Sequence, residues 1–322
     1  MKKNNSVFDK KERLNSPHFI YGPVPSRRLG FSLGVDILPF KTCPFDCIYC
    51  QLGRTTEKTI QRKEFIPHKE VLHQIKKAIT SGQKIDYITF SGSGEPTLNQ
   101  ALGKLIREIK KITAIPVAVL TNSSLLTRKD VRKALQAADL VVPSLDAASQ
   151  EVFVRTNRPH LSLRAGKIIN GLIHFRKEFK GPIWLEIMLV KGINDTKVHL
   201  EELKKAIARI GPDKVHLNTV VRPPAEKFAR PLSEREMERT RKILGDNCQV
   251  IADFKKRKQK ATRESLEQAI LSMVQRRPVT LKDISFSLGK PSEEILRPLD
   301  ALLETGKIKA VRRGSSIYYL KS

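Results

Sequence analysis

What this 322-residue chain has little of is informative first. It has four cysteines, and three of them fall within eight residues. That is no disulfide framework, and in a reducing compartment clustered cysteines point to a metal. Aromatic residues make up only 6% of the chain, with one tryptophan, Trp184. No stretch approaches the roughly 18–20 consecutive apolar residues that span a bilayer. The basic start, MKKNNSVFDKKERLN, is not followed by an apolar run of signal-peptide type. Residues 1–19 read as a flexible basic arm, and a cytoplasmic protein without membrane contact is expected. Acidic residues are also scarce, 33 against 60 Lys and Arg, which leaves a formal charge of +27. Such a field attracts polyanions. RNA or another anionic macromolecule is therefore an expected partner, with a lysine-rich solvated surface as the plainer alternative.

From about residue 31 onward, short apolar β-type runs alternate with amphipathic segments. The strands are expected at Phe31–Ile37, Tyr87–Ser91, Val117–Thr121, Leu140–Pro143, Ile183–Val190, Lys214–Val220 and Cys248–Ile251. Helices are expected at His68–Ile79, Ala101–Ile112, Arg128–Ala138, Leu163–Phe179, Val198–Ile210 and Ser233–Leu244, the last opening with capping-box spacing at Ser233 and Glu236. Strand–helix alternation predicts an α/β fold with a parallel sheet, and the continuous apolar strands predict that both of its faces are covered. About six such units suit a partial (β/α)6 TIM-like barrel over residues 20–253, since a full eight-fold barrel takes about 250 residues. Chemistry in such sheets sits at the carboxyl ends of the strands.

Residues 254–263 read as a basic linker, and Lys255–Arg263 within it has six basic residues and no acidic one. Residues 264–322 read as a separate domain. Helices at Ser265–Val274, Leu281–Leu288 and Glu293–Leu303 precede a hairpin, Ile308–Arg312 with Ser316–Leu320, which is the layout of a C-terminal winged helix-turn-helix. Glu293, Glu294, Asp300 and Glu304 on its third helix face only Arg297. A phosphate-facing helix needs the opposite sign, so a protein partner or substrate positioning is the better expectation here.

Cys43-Pro-Phe-Asp-Cys47-Ile-Tyr-Cys50 follows the first strand with C-x3-C-x2-C spacing. Thiolates suit iron–sulfur clusters and zinc. Structural zinc takes four ligands, usually in two pairs, and the fourth here would be Cys248 or a distant histidine. Cys248 stands alone in an apolar strand and reads as a small core residue. Three cysteines would leave one iron of a [4Fe–4S] cluster open for a ligand.

With Tyr49 as its aromatic, this stretch resembles the C-x3-C-x-aromatic-C signature of radical S-adenosylmethionine (SAM) enzymes. The resemblance implies that the open iron chelates SAM. A reduced cluster then splits SAM into methionine and a 5′-deoxyadenosyl radical, which abstracts hydrogen from a substrate. It also implies an electron donor such as flavodoxin or ferredoxin. Ser91-Gly-Ser-Gly-Glu-Pro96 looks like the family's Gly-Gly-Glu-Pro turn, with Ser93 in place of the usual first glycine. It implies methionine-ammonium contacts at Ser93, Gly94 and Glu95. Asn122, after Thr121, and Ser144 and Asp146 correspond to contacts with the carboxylate and ribose. Helix capping is the competing reading of these residues. Ile193 corresponds to an adenine contact, as do backbone groups of Leu217–Thr219.

The segment Tyr21–Asp36 resembles one branch in particular, iron–sulfur oxidoreductases related to wyosine-tRNA synthesis enzymes. Those enzymes carry a second cluster on upstream cysteines, and no cysteine precedes Cys43 here, so a single cluster is expected. Arg27 with Arg28, and Arg155 with Arg158 and His160, are two candidate anion patches, or else charged loops. His174 and His199 on helix candidates read as surface or core-edge residues. Glu186 sits inside an apolar strand, where a carboxylate must be paired or face a cavity. It is the one catalytic candidate. Two other functions compete: a cluster-based redox sensor binding nucleic acid or protein, and a radical SAM enzyme for a peptide or small metabolite.

Overall fold

The computed structural model describes residues 19–26, 28–251, 266–275, 278–288, 290–313 and 316–322. Nearly all of the basic arm, all of the basic linker, and Arg27 lie outside the described residues. Phe19, at the arm's end, is buried, and its N–H donates to Gln74.

Six apolar runs form parallel strands: β2 (Gly30–Val35), β5 (Tyr87–Phe90), β6 (Val117–Thr121), β7 (Leu140–Pro143), β8 (Trp184–Leu189) and β9 (Lys214–Thr219). β2, β5, β6 and β7 pair in that order, as do β8, β9 and β10 (Cys248–Val250). Two parallel bridges, Val141 to Ile183 and Ser144 to Glu186, tie β7 to β8. Ahead of β2 runs an antiparallel strand, β1 (Ile20–Ser26), and β3 (Thr42–Cys43) pairs with β4 (Glu57–Lys58) beside the cysteines. Sequence pattern missed β1 because Gly22, Pro23 and Pro25 read as a turn. Proline is tolerated in a strand at the edge of a sheet, and β1 is the edge.

The intervening helices are α1 (His68–Ile79), α2 (Leu102–Ile112), α3 (Lys129–Leu135), α4 (Gln150–Asn157), α5 (Ala165–Glu178), α6 (Lys197–Ile210) and α7 (Glu234–Leu244). The 3.6-residue period located all but α4, which is short and has its apolar residues, Val152, Phe153 and Val154, in one consecutive run. Each helix lays an apolar stripe on the outer face of the sheet. Val71 and Ile75 of α1, Leu105 and Ile109 of α2, and Leu172 and Phe175 of α5 join Leu33, Ile88, Val119 and Leu185 in one core. The capping box of α7 forms as its spacing predicts: Ser233 Oγ accepts from the Glu236 N–H, and the Glu236 side chain accepts from the Ser233 N–H. Cys248 is buried in this core, and burial pushes its thiol up to about 11. His199 is also buried, so of the surface and core-edge readings the surface one does not hold for it.

Helices α8 (Leu266–Val274), α9 (Leu281–Leu288) and α10 (Ser292–Glu304) pack on a three-stranded antiparallel sheet ordered β11 (Val279–Thr280), β13 (Ser316–Lys321), β12 (Ile308–Arg313). The strand β11 was not legible in the sequence, and Arg313 ends a strand instead of opening the turn. The four acidic residues of α10 are exposed. This unit does not stand apart. Tyr21 and Val24 of β1 complete its core with Ile270, Met273, Ile284 and Leu299. Arg313 Nη2 donates to the Val220 carbonyl just past β9 at 2.9 Å. It therefore touches both the β1 edge and the far side of the sheet.

Candidate active site

Side chains from β1, β2, β5, β6, β8 and β9 line a single cavity of about 400 Å³. Strands of a flat sheet cannot share one cavity, so the sheet curls around it. Cys43, Cys47 and Cys50 sit at the carboxyl-end rim, with Tyr49, Gly94, Glu95, Asn122 and Ser144 beside them.

Each cysteine sulfur faces one nitrogen donor. Asn122 Nδ2 donates to Cys43 Sγ at 3.3 Å, Asn157 Nδ2 to Cys47 Sγ at 3.4 Å, and Lys41 Nζ to Cys50 Sγ at 3.1 Å. Burial pushes the Cys43 thiol up to about 12 and Cys47 well above the ordinary thiol range. Burial alone would lower Lys41, but the charge of Cys50 and the other two thiolates outweighs it and raises the lysine. Burial thus favours the neutral thiols, while the three nitrogen donors would support the thiolates that a bound metal makes of them. Among the described residues no three His, Cys, Asp or Glu side chains converge tightly enough for one mononuclear ion. A cubane takes its three cysteines on separate irons. The donor set fits a [4Fe–4S] cluster better than zinc.

The glycine turn is bound to the cysteine loop. The Glu95 N–H donates to the Thr42 carbonyl, and Lys41 N–H to that of Ser93. A Cβ on Gly94 would stand 2.0 Å from the Thr42 oxygen, so only glycine fits. Ser93 turns away from the cavity: its hydroxyl donates to Asp36 Oδ2 at 2.5 Å. That partner is why serine is accommodated where the family has glycine. Glu95 takes four hydrogen bonds, from Thr97 N–H and Oγ1, from Thr121 Oγ1 and from the Asn122 N–H. Burial raises its carboxyl and these donors pull it back.

Two more expected SAM contacts lie off the main cavity. Asp146 lines a small side pocket, its oxygens taken by the Tyr49 hydroxyl, Asn157 Nδ2 and the Met188 N–H. Ile193 packs with Ile48, Val190, Val220 and Ala229 behind the cysteine loop. Asp146 and Asn157 therefore position the loop, a role the sequence did not reveal for Asn157. The Arg158 patch is neutralised: its Nη1 pairs with Glu226 Oε1 at 2.6 Å, Arg155 pairs with Glu151, and His160 bonds Ser162.

Glu186 does face the cavity, and so does Arg28, which forms an ion pair with it. Asn218 Nδ2 donates to Glu186 Oε1 at 3.1 Å. His216 lies alongside, edge-on to Trp184. Burial, with Arg28 nearby, pushes it down to about 4.

The family model described as "Radical SAM superfamily" matches residues 37–218. A UPF0026 protein of Methanocaldococcus jannaschii is 34% identical over 311 residues, 94% of this chain and 95% of its own length. A Brachyspira hyodysenteriae protein named GTPase Obg is 41% identical over 293 residues, 90% of this chain, but the match spans only 43% of that protein. In fold, the chain resembles a radical SAM methyltransferase from Sphaerobacter thermophilus, with a TM-score of 0.52, 21% identity, and coverage of 68% and 66% of the two chains. Together with the cysteine rim, these matches place the chain in the radical SAM superfamily, among the UPF0026 proteins, as an enzyme that binds a [4Fe–4S] cluster and SAM.

Proposed function

We propose that this enzyme makes a 5′-deoxyadenosyl radical at a single cluster and uses it to abstract hydrogen from an anionic, phosphate-bearing substrate, RNA foremost. The observation that carries the radical chemistry is the rim, where three sulfurs, each with its own N–H donor, face the Gly94–Glu95 turn across one cavity. When bound, the cluster supplies one electron to the sulfonium of SAM. Cys43, Cys47 and Cys50 hold it, and Lys41, Asn122 and Asn157 hold the sulfurs. The Gly94 backbone receives the methionine ammonium, and Asn122 and Ser144 its carboxylate. Glu95 orients this shelf. Tyr49, tied to Asp146, fixes the loop. A flavodoxin- or ferredoxin-type reductant provides the electron.

The curled sheet suits a six-unit partial barrel over residues 20–253, with a winged helix over 264–322. Support for a phosphate-bearing substrate comes from the charge of +27. It comes also from two distant relatives, a GTP 3′,8-cyclase of Clostridium acetobutylicum (31% identical over 162 residues) and a probable RNA methyltransferase of Opitutus terrae (24% over 188 residues). The test is anaerobic reconstitution, dithionite and SAM. Release of 5′-deoxyadenosine above a Cys47→Ala control is expected, and its absence from a cluster-loaded protein rejects the radical reading. RNA binding that weakens steeply with salt is expected as well.

One observation favours a second reading, a small carboxylate-bearing metabolite. The cavity wall carries the Arg28–Glu186 ion pair, whose guanidinium suits a carboxylate.

A further inference from the structure

Inward positions of a helix-covered parallel barrel are ordinarily filled with branched apolar side chains. Here Ser32, Thr89, Glu186 and Asn218 take such positions, and Arg28 enters from the β1–β2 turn. The Arg28 and Glu186 side chains are only 14% and 15% exposed. Replacing a buried ion pair by apolar residues is often neutral or stabilising, so stability alone does not account for this one.

The arrangement has a direction. Glu186 spends one oxygen on Arg28 and accepts from Asn218 with the other. Arg28 reaches Glu186 through Nη1, so the other two nitrogens of its guanidinium are not spent on this pair. What the floor offers a ligand is therefore donors, on a guanidinium braced from behind. A guanidinium fork matches carboxylate and phosphate oxygens.

The geometry points to Arg28 as the anchor for a substrate oxyanion at the cavity floor, with Glu186 and Asn218 as its positioning residues. This rests on the radical reading only for its place in the same cavity as the proposed SAM shelf. Glu186 is thereby a brace and not a proton donor. The ligand is a carboxylate or phosphate group of the substrate, held in the cavity that the cysteines and the Gly94–Glu95 turn also line.

The test uses the full-length reconstituted protein without reductant, so that no SAM is consumed. Its outcome is therefore independent of the 5′-deoxyadenosine assay. Inorganic phosphate and acetate, at matched ionic strength, are the two probes, read by thermal shift and calorimetry. The comparison is with Arg28→Met/Glu186→Met, which has the same net charge and so the same non-specific attraction for anions. The double variant is used because Arg28→Met alone strands a buried carboxylate. We expect wild type to bind one probe about tenfold or more tighter than the double variant, with Glu186→Gln between them and Arg28→Lys failing to restore affinity. Preference for phosphate identifies a phosphate-bearing substrate, and preference for acetate a carboxylate. Equal binding by wild type and the double variant overturns the proposal, as does no binding of either probe. So does a double variant that melts lower with unchanged binding, which would make the pair a structural clamp.

Discussion

At the rim of the cavity, Glu95 receives four hydrogen bonds, two from Thr97 two residues away and two from the neighbouring Thr121–Asn122 strand end. At the floor, Glu186 meets Arg28 from the β1–β2 turn and Asn218 from β9, with the neutral ring of His216 nearby on the same strand. Glu95 is fully buried and Glu186 is mostly so. The rim version is solved with neutral donors that belong to the loops they hold, so removing it loosens the loops. The floor version is solved with an opposite charge, so the pair can leave together without leaving either charge unpaired, at the cost of the acceptor that Asn218 uses. Buried position alone says little about the role of a carboxylate; the number and kind of its partners say more.

That contrast breaks most visibly with substitutions at the rim. Glu95→Ala leaves four donors without an acceptor. A cost on the order of 3 kcal/mol or more is expected, read as a drop in the denaturant midpoint, together with poor iron incorporation. Arg28→Met/Glu186→Met, by contrast, should move stability by less than about 1 kcal/mol in the unfavourable direction. If the floor pair proves as costly as Glu95, the distinction collapses. Gly94→Ala comes next. Its Cβ has no room against the Thr42 carbonyl, so the cysteine loop or the turn must shift. About 1–3 kcal/mol is expected, with weakened SAM binding in equilibrium dialysis.

The rim was legible because its residues are contiguous motifs at strand ends. The cysteine spacing, Gly94–Glu95 and Asn122 all meet at one cavity, as their spacing implied. What sequence could not show was which side chains turn away. Ser93 and Asp146 belong to the right loops but spend their polar groups on Asp36 and on Tyr49 with Asn157. The floor was nearly invisible. Only Glu186 stood out, as a charge in an apolar strand. Its partner Asn218 joins it through the β8–β9 pairing and Arg28 from the β1–β2 turn, neither of which a local pattern encodes. Strand β1 escaped for the converse reason: its prolines signal a turn locally, while the C-terminal unit, packing on Tyr21 and Val24, makes it a strand globally.

Lys41 offers a subtler test of the rim. Its ammonium, buried and 3.1 Å from Cys50 Sγ, is the one charged donor among the three that face the sulfurs. A positive charge there favours the more negative, reduced cluster, and hydrogen bonds to sulfur act in the same sense. Lys41→Met is expected to lower the midpoint potential of the reconstituted cluster in an EPR-monitored titration, while Lys41→Arg keeps most of it. An unchanged potential at full iron loading would show that the lysine merely fills space.

The last test belongs to the floor, at His216. Its folded-state value near 4 lies below the ordinary histidine range, because burial and the nearby Arg28 and Lys214 disfavour the charged ring more than Glu186 favours it. Between about pH 6.5 and pH 4 the unfolded chain therefore binds the extra proton and the folded chain does not. Stability from this group is complete above the unfolded value and is lost as the pH falls towards 4. The loss is on the order of 2 kcal/mol once partial solvent access is allowed for. His216→Phe, which keeps the contact with Trp184, should flatten that part of the stability profile and leave the region above pH 7 almost unchanged. If the profile keeps its slope in the variant, then the acid sensitivity comes from the rim carboxylates, and the floor is less tightly closed to water than its packing indicates.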